Sequence, residues 1–330
     1  MPPTADLAYP ILFLIAGVLL LYFGAEGLVR GSASIALRMR IAPLIVGLTI
    51  VAFGTSSPEL VVSISAALKG NPGIALGNVI GSNICNIALI LGIAAIVRPI
   101  KVNIKVIKVD ISIMIGITLL LILMLLDGEI DRIDGILLTI GVISYCFFTI
   151  FLAKNSNTNN DENELEVSDE KPPHKKWLDI VFIVVGLAIL IVGANLFVSG
   201  ATVIAEYLGA SDIIIGLTIV AFGTSLPELA TSLVASIKGE SDISIGNVVG
   251  SNIFNILGVL GITSIIHPIY VGEISMTGTI TPVDVGVMVL VAIIISPLAW
   301  SKLTISRIEG AFLLFIYIGY VFYLYTKTDG

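Results

Sequence analysis

Ten stretches of about 20 apolar residues follow one another along this chain of 330 residues, and no other feature narrows its possible folds as much. About 20 apolar residues is the length that crosses a bilayer as an α-helix, whereas a closed barrel would need shorter, alternating segments. The stretches lie at about 9–30, 43–68, 74–97, 107–126, 133–153, 177–199, 211–237, 243–266, 283–300 and 306–326. Composition agrees: 56% of residues are hydrophobic and 12% charged, with a mean hydropathy of +1.06, far from a soluble domain. The expectation is an all-α membrane protein whose surroundings are the lipid bilayer.

The second and seventh stretches carry almost the same words. "GLTIVAFGTSSPEL" begins at Gly47 and "GLTIVAFGTSLPEL" at Gly216, 169 residues later. At that offset residues 47–92 and 216–261 match at 29 of 46 positions without a gap. Gly24, Ala25, Val29 and Gly31 likewise match Gly193, Ala194, Val198 and Gly200. The chain is therefore an internal duplication, divided by the polar segment "KNSNTNNDENELEVSDEKPPHKK" at 154–176, which holds too little apolar surface to fold alone and reads as a tether. Three parts follow: a first repeat over 1–153 with spans 1–5, a linker over 154–176, and a second repeat over 177–330 with spans 6–10. Five spans per half put the second copy into the membrane upside down. Inverted repeats with interrupted, polar helices at matching places point to a secondary transporter with its ion site at the repeat interface.

Lys and Arg fix the expected orientation. With the linker on the cytoplasmic side, 14 of the 17 basic residues lie there, leaving Lys69, Arg132 and Lys327 outside. The bias persists at 10 against 3 without the linker, so both termini are expected outside a cytoplasmic (inner) membrane. Nothing in the sequence suggests a nucleic-acid partner. Cys85 and Cys146 fall inside spans and read as small buried hydrophobes. Residues 1–8 lack a basic leader, so the first span is expected to stay as an anchor.

The repeated phrase supplies chemistry. Pro58 cannot donate to the carbonyl of Gly54, so the helix is expected to unwind around 52–58 and free carbonyls such as those of Ala52 and, in the copy, Ala221. Thr55, Ser56 and Glu59, with Thr224, Ser225 and Glu228 in the copy, add hydroxyl and carboxylate oxygens. On the third span Asn78, Ser82 and Asn86 recur every four residues as one polar stripe, copied as Asn247, Ser251 and Asn255. The core is Ser56, Glu59, Ser82, Asn86, Ser225, Glu228, Ser251 and Asn255. Such an all-oxygen set suits calcium or sodium, carried as substrates rather than held as cofactors, and offers neither thiolate nor imidazole for zinc or copper. A merely structural role for Glu59 and Glu228 fits less well, because every Lys and Arg maps to a span end or a loop, and a charged residue at a helix centre costs about 2.5–3.5 kcal/mol. Glu26 differs: it stands four residues before Arg30 and pairs with it. The acidic "DGEIDRIDG" at 127–135 lacks the last acid of an EF-hand loop, with Leu138 in its place, and reads as an extracellular turn.

The duplicated G-T-S-x-P-E and G-N-x-x-G-S-N-I-x-N-I segments resemble the repeats of the sodium/calcium exchanger branch of the cation/calcium exchanger superfamily, prokaryotic in type. The resemblance covers nearly the whole chain. It implies that spans 2, 3, 7 and 8 surround the ion sites and that spans 1 and 6 slide across them as a gate. By the same resemblance, Glu59 and Glu228 would be carboxylates shared by calcium and sodium, Ser56, Ser82, Ser225 and Ser251 sodium ligands, and three sodium ions would exchange for one calcium. One position departs: many relatives carry Asp where this chain has Asn255, which argues against potassium coupling. The expectation is a monomeric antiporter and not an enzyme, since no Ser/His pair or Asp dyad lies within the spans. Proton/calcium exchange and a passive cation channel are the alternatives.

Overall fold

The computed structural model describes residues 8–70, 72–156, 175–208, 221–270 and 281–328. Most of the linker and the start of the seventh expected span, 211–220, lie outside the described residues. The protein is an all-helical membrane protein. Among the described residues eight helices are long and apolar enough to cross a membrane, and a bent pair makes a ninth candidate.

Helix α1 is Ala8–Met39. The bent pair is α2, Pro43–Thr55, and α3, Ser57–Leu68. There follow α4 (Gly73–Val97), α5 (Val106–Asp127) and α6 (Arg132–Ser156). In the second half come α7 (Lys176–Tyr207), α8 (Ala221–Thr224), α9 (Leu226–Lys238), α10 (Ser241–Ile266), α11 (Pro282–Trp300) and α12 (Arg307–Thr328).

Two expected boundaries need correction. The first and sixth spans, expected to end near 30 and 199, continue to Met39 and Tyr207. At 1.5 Å per residue each 32-residue helix is about 48 Å long, well beyond the roughly 30 Å hydrocarbon core. Charge does not stop α1 at Arg30, because that guanidinium bonds Glu26 one turn back on the same helix, at 2.6 Å. The chain turns only at Arg40, whose φ is 54°, just before extended Ala42 and Pro43.

Glycine sets how α1 and α7 meet. Gly17, Gly24 and Gly31 recur every seven residues, as do their equivalents Gly186, Gly193 and Gly200; Gly17 meets Gly193 and Gly24 meets Gly186, while Gly31 lies against the Asp179 carbonyl and Gly200 against that of Pro10. A Cβ on Gly186 would lie 2.7 Å from the Leu28 nitrogen and 2.8 Å from the Gly24 carbonyl, so the two backbones touch. Arg38 at the end of α1 donates to Asp179 Oδ2, at 2.9 Å, near the start of α7.

The last helices of each half pack on the other half. Helix α12 lies on α4, and α6 lies on α10. Two short antiparallel ribbons repeat this exchange: β1 (Ile100–Lys101) pairs with β4 (Thr304–Ile305), and β2 (Glu129–Ile130) pairs with β3 (Ile269–Tyr270). Strands β1 and β3 stand 169 residues apart, the offset of the sequence repeat. The buried core is formed chiefly by α2, α4 and α10, with 83% of the most apolar window of α4 and of α10 buried against 28% for α1 and α7. The "DGEIDRIDG" acids are engaged locally: Asp131 Oδ1 accepts from the nitrogens of Ile133 and Asp134, and Asp134 Oδ2 accepts from Asp131 N, a reciprocal cap on α6.

Candidate cation-binding site

The axes of α2 and α3 meet at 40°. Pro58 has no N–H to give Gly54, and Ser57 and Pro58 become the first residues of a new helix. The interruption is narrower than the sequence suggests. Ala52–Thr55 is helical, and Ser56 alone leaves helical geometry with ψ of 5°. The Ala52 carbonyl, expected to lack a helical partner, accepts from Ser56 N at 3.0 Å. The proline removes a donor at position 58 and leaves that of Ser56 intact, which is why the break falls later. Ala52 keeps a second lone pair, turned to Thr55 Oγ1 at 3.3 Å. In the copy, Ser225 has the same geometry, with ψ of 5° before α9, but its nitrogen bonds the Phe222 carbonyl at 3.1 Å. Ala221 opens α8.

Glu59 and Glu228 each occupy the first turn of the helix after the break, where the N-terminal end of the helix dipole favours a carboxylate. Both are buried, Glu228 wholly so. Each is held by a hydroxyl of the other half: Ser56 Oγ donates to Glu228 Oε1 at 3.1 Å, and Ser225 Oγ to Glu59 Oε1 at 3.4 Å. Thr55 and Thr224 add hydroxyls against Glu228 and Glu59 respectively. Ser82 Oγ lies 3.5 Å from Ser225 Oγ, bringing α4 to the same point.

The Asn stripe divides into two duties. Asn78 Nδ2 donates to the Glu59 carbonyl at 3.2 Å and to Ser63 Oγ at 3.1 Å. Asn247 Nδ2 does the same to the Glu228 carbonyl at 3.3 Å and Ser232 Oγ at 2.9 Å, while its Oδ1 accepts from Thr55 Oγ1 at 3.0 Å. These two amides brace the carboxylate helices. Asn86 and Asn255 open the way differently, since both sit in π-helical turns of α4 and α10, where the wider coil re-aims side chains. Asn255 Nδ2 donates to Asn83 Oδ1 at 3.0 Å, and Asn83 Nδ2 to the Asn252 carbonyl at 3.4 Å.

Glu59 Oε2, Glu228 Oε2, Asn86 Oδ1, Asn255 Oδ1 and Ser251 Oγ are buried with no hydrogen-bond partner among the described residues. The three ion pairs among the described side chains, at Glu26 and Asp179, lie elsewhere. Two buried carboxylates thus stand among hydroxyls, with no basic side chain paired to either among the described residues. Unpaired charge there would be expensive, so the arrangement calls for a bound cation or proton.

Sequence reasoning missed several contributors. Asn83, Ser63 and Ser232 were not singled out, although Asn83 stands inside the repeated G-S-N-I motif. Asp110 and Asp284 also went unnoticed. Tyr145 OH donates to Asp110 Oδ1 at 3.3 Å and Tyr320 OH to Asp284 Oδ1 at 3.0 Å, tying α5 to α6 and α11 to α12. The signal was available, because an Asp within an apolar span needs a partner.

The sodium/calcium exchanger protein family model matches residues 9–153 and 178–326. The putative antiporter CaxA of Alkalimonas amylolytica is 40% identical over 317 residues, covering 96% of this chain and 98% of that protein. The sodium/calcium exchanger MaX1 of Methanosarcina acetivorans is 33% identical, covering 95% and 98%. The inner membrane protein YrbG of Escherichia coli is 38% identical, covering 88% of each. Among solved structures, the sodium-calcium exchanger NCX_Mj soaked with sodium and strontium superposes with a TM-score of 0.80 at 35% identity, covering 96% of this chain and 98% of that one. On the matched lengths, the shared fold and the doubled motif, the chain belongs to the sodium/calcium exchanger protein family.

Proposed function

We propose that the chain exchanges sodium for calcium across the membrane by alternating access, with Glu59 and Glu228 at the centre of one shared site. Family membership supports cation/calcium exchange as the class of activity. The observation that carries the finer reading is the set of buried oxygens without partners, Glu59 Oε2, Glu228 Oε2, Asn86 Oδ1, Asn255 Oδ1 and Ser251 Oγ. Calcium accepts six to eight oxygens of this kind and sodium fewer. Ser56, Ser82, Ser225, Thr55, Thr224 and the carbonyls of Ala52 and Ala221 complete the ligand set in this reading.

Two carboxylates match the charge of one calcium ion, or of two sodium ions. An empty dianionic site is costly to close off from water, so the gate moves only when cations neutralise it. Asn86 and Asn255 hold the formal charge at two, consistent with independence from potassium. The wider frame is ten spans in two inverted halves, 1–153 and 177–330, joined by the cytoplasmic linker, with both termini outside. The swapped packing of α6 and α12 and the 169-residue offset of β1 and β3 support that frame.

The test is calcium uptake into vesicles loaded with sodium and diluted into sodium-free buffer, with potassium and pH varied separately. Uptake that requires the outward sodium gradient and ignores potassium is expected. Uptake driven by a pH gradient without sodium would instead support proton coupling, and calcium flux without any counter-ion would support a channel.

A further inference from the structure

The two halves of the fold are alike in sequence but are not arranged alike. Helix α1 lies along α9. Its counterpart α7 has no comparable packing along α3 among the described residues. Along α3 there is instead an open surface groove of about 440 Å³, lined by Val61, Ile64, Ser65, Leu68 and Lys69. The α1/α7 pair, fastened by its glycine contacts and by Arg38 and Asp179, is thus closed against one carboxylate helix and open toward the other.

On the closed side Lys238 Nζ, at the end of α9, bonds Glu26 Oε1 of α1 at 2.8 Å, and Arg30 holds the same oxygen at 2.6 Å. The Lys238 end is a fixed post. Arg98 Nη1 donates to the Ile237 carbonyl at 3.0 Å, and Ser236 Oγ donates to the Ala94 carbonyl at 2.9 Å, fastening the end of α9 to α4. The repeat offset shows what the open side has instead. Glu26 becomes Asn195, Arg30 becomes Ser199, Ser236 becomes Ala67 and Arg98 becomes His267, while Lys238 is kept as Lys69. Among the described residues Lys69 makes no ion pair, and the open side carries no carboxylate at the position of Glu26.

We infer that Glu26 and Lys238 form a one-sided ionic latch, which favours the state closed at the Lys238 face and so biases which side of the membrane reaches the ion site. The inference rests on the alternating-access reading, under which that face is cytoplasmic. Neither charge is stranded when the latch opens. Glu26 keeps Arg30 on its own helix, and the Lys238 side chain is 27% exposed at the helix end, where water can take up its charge. Such a latch can release without the penalty of a buried lone charge.

The test uses a cysteine at Val234, a buried residue one turn before Lys238 on the same helix face. In inside-out membranes the rate of its modification by a membrane-impermeant maleimide reports opening at that face, with the native cysteines' background subtracted. Glu26→Gln and Lys238→Gln should each raise the rate about two- to fivefold, the size expected for a partly exposed ion pair. The double variant should exceed neither single, because both remove one interaction. Unchanged rates in both singles, or additive increases in the double, would overturn the latch. Sodium-driven calcium uptake of the unaltered chain is measured in the same membranes. Its absence would overturn the exchange reading, while the labelling rates would still decide the latch.

Discussion

At the scale of residues, each carboxylate is positioned by the half of the chain that does not contain it. Ser56 reaches Glu228, and Ser225 reaches Glu59, so neither phrase makes a site alone. Glu59→Gln and Glu228→Gln should each leave the fold standing, since an amide fills the same volume, yet abolish sodium-dependent calcium uptake. Near-normal uptake by either would break the shared-site reading. Asn247 acts one layer out. Asn247→Ala removes two donated hydrogen bonds and the acceptor of Thr55, and should destabilise the protein by about 1–3 kcal/mol, read as a lower melting temperature, and weaken calcium binding. Ten of the twelve candidate ligands stand out in the sequence because a polar residue inside an apolar span is rare, while Ala52 and Ala221 rest on the expected proline break. The bracing role of Asn78 and Asn247 was not, because spacing puts them on the stripe without saying whether an amide faces an ion or a backbone carbonyl.

At the scale of elements, the site turns on local departures from the α-helix. Pro58 and Pro227 place breaks at Ser56 and Ser225, and the π-helical turns at Cys85–Leu91 and Asn255–Leu260 set Asn86 and Asn255 in wider coils. The prolines were readable in the sequence; the π-helical turns were not, since their residues carry the same apolar pattern as an ordinary helix. Helix lengths were misjudged for a physical reason as well. A charged residue need not end a helix: Arg30 and Arg38 bond Glu26 and Asp179 and let α1 run on to Met39. The glycine contacts between α1 and α7 yield their own prediction. Gly186→Ala would drive a Cβ into the backbone of Leu28 and Gly24, atoms that cannot move aside as a side chain can. Separation of the two helices should lower stability by about 1–3 kcal/mol in a thermal unfolding assay, whereas Gly286→Ala on α11, where a Cβ meets nothing within 4 Å, should leave it unchanged.

At the scale of the whole molecule, duplication is what was most readable and what does most. Twenty-nine matches at one offset identify two copies of one unit, and in the fold each copy lends its last helices to the other. What no alignment of the halves could reveal is their difference in arrangement. The proposed latch lies at positions where the copies no longer agree, Glu26 against Asn195 among them. The central claim is that sodium and calcium occupy the same oxygens. It is tested most directly by calcium binding to the purified protein, measured by titration calorimetry at rising sodium concentrations in detergent. The half-saturating calcium concentration should climb steeply with sodium, stay unmoved by potassium, and calcium binding should vanish in Glu59→Gln and in Glu228→Gln. Calcium affinity independent of sodium, or retained in either variant, would contradict a shared site.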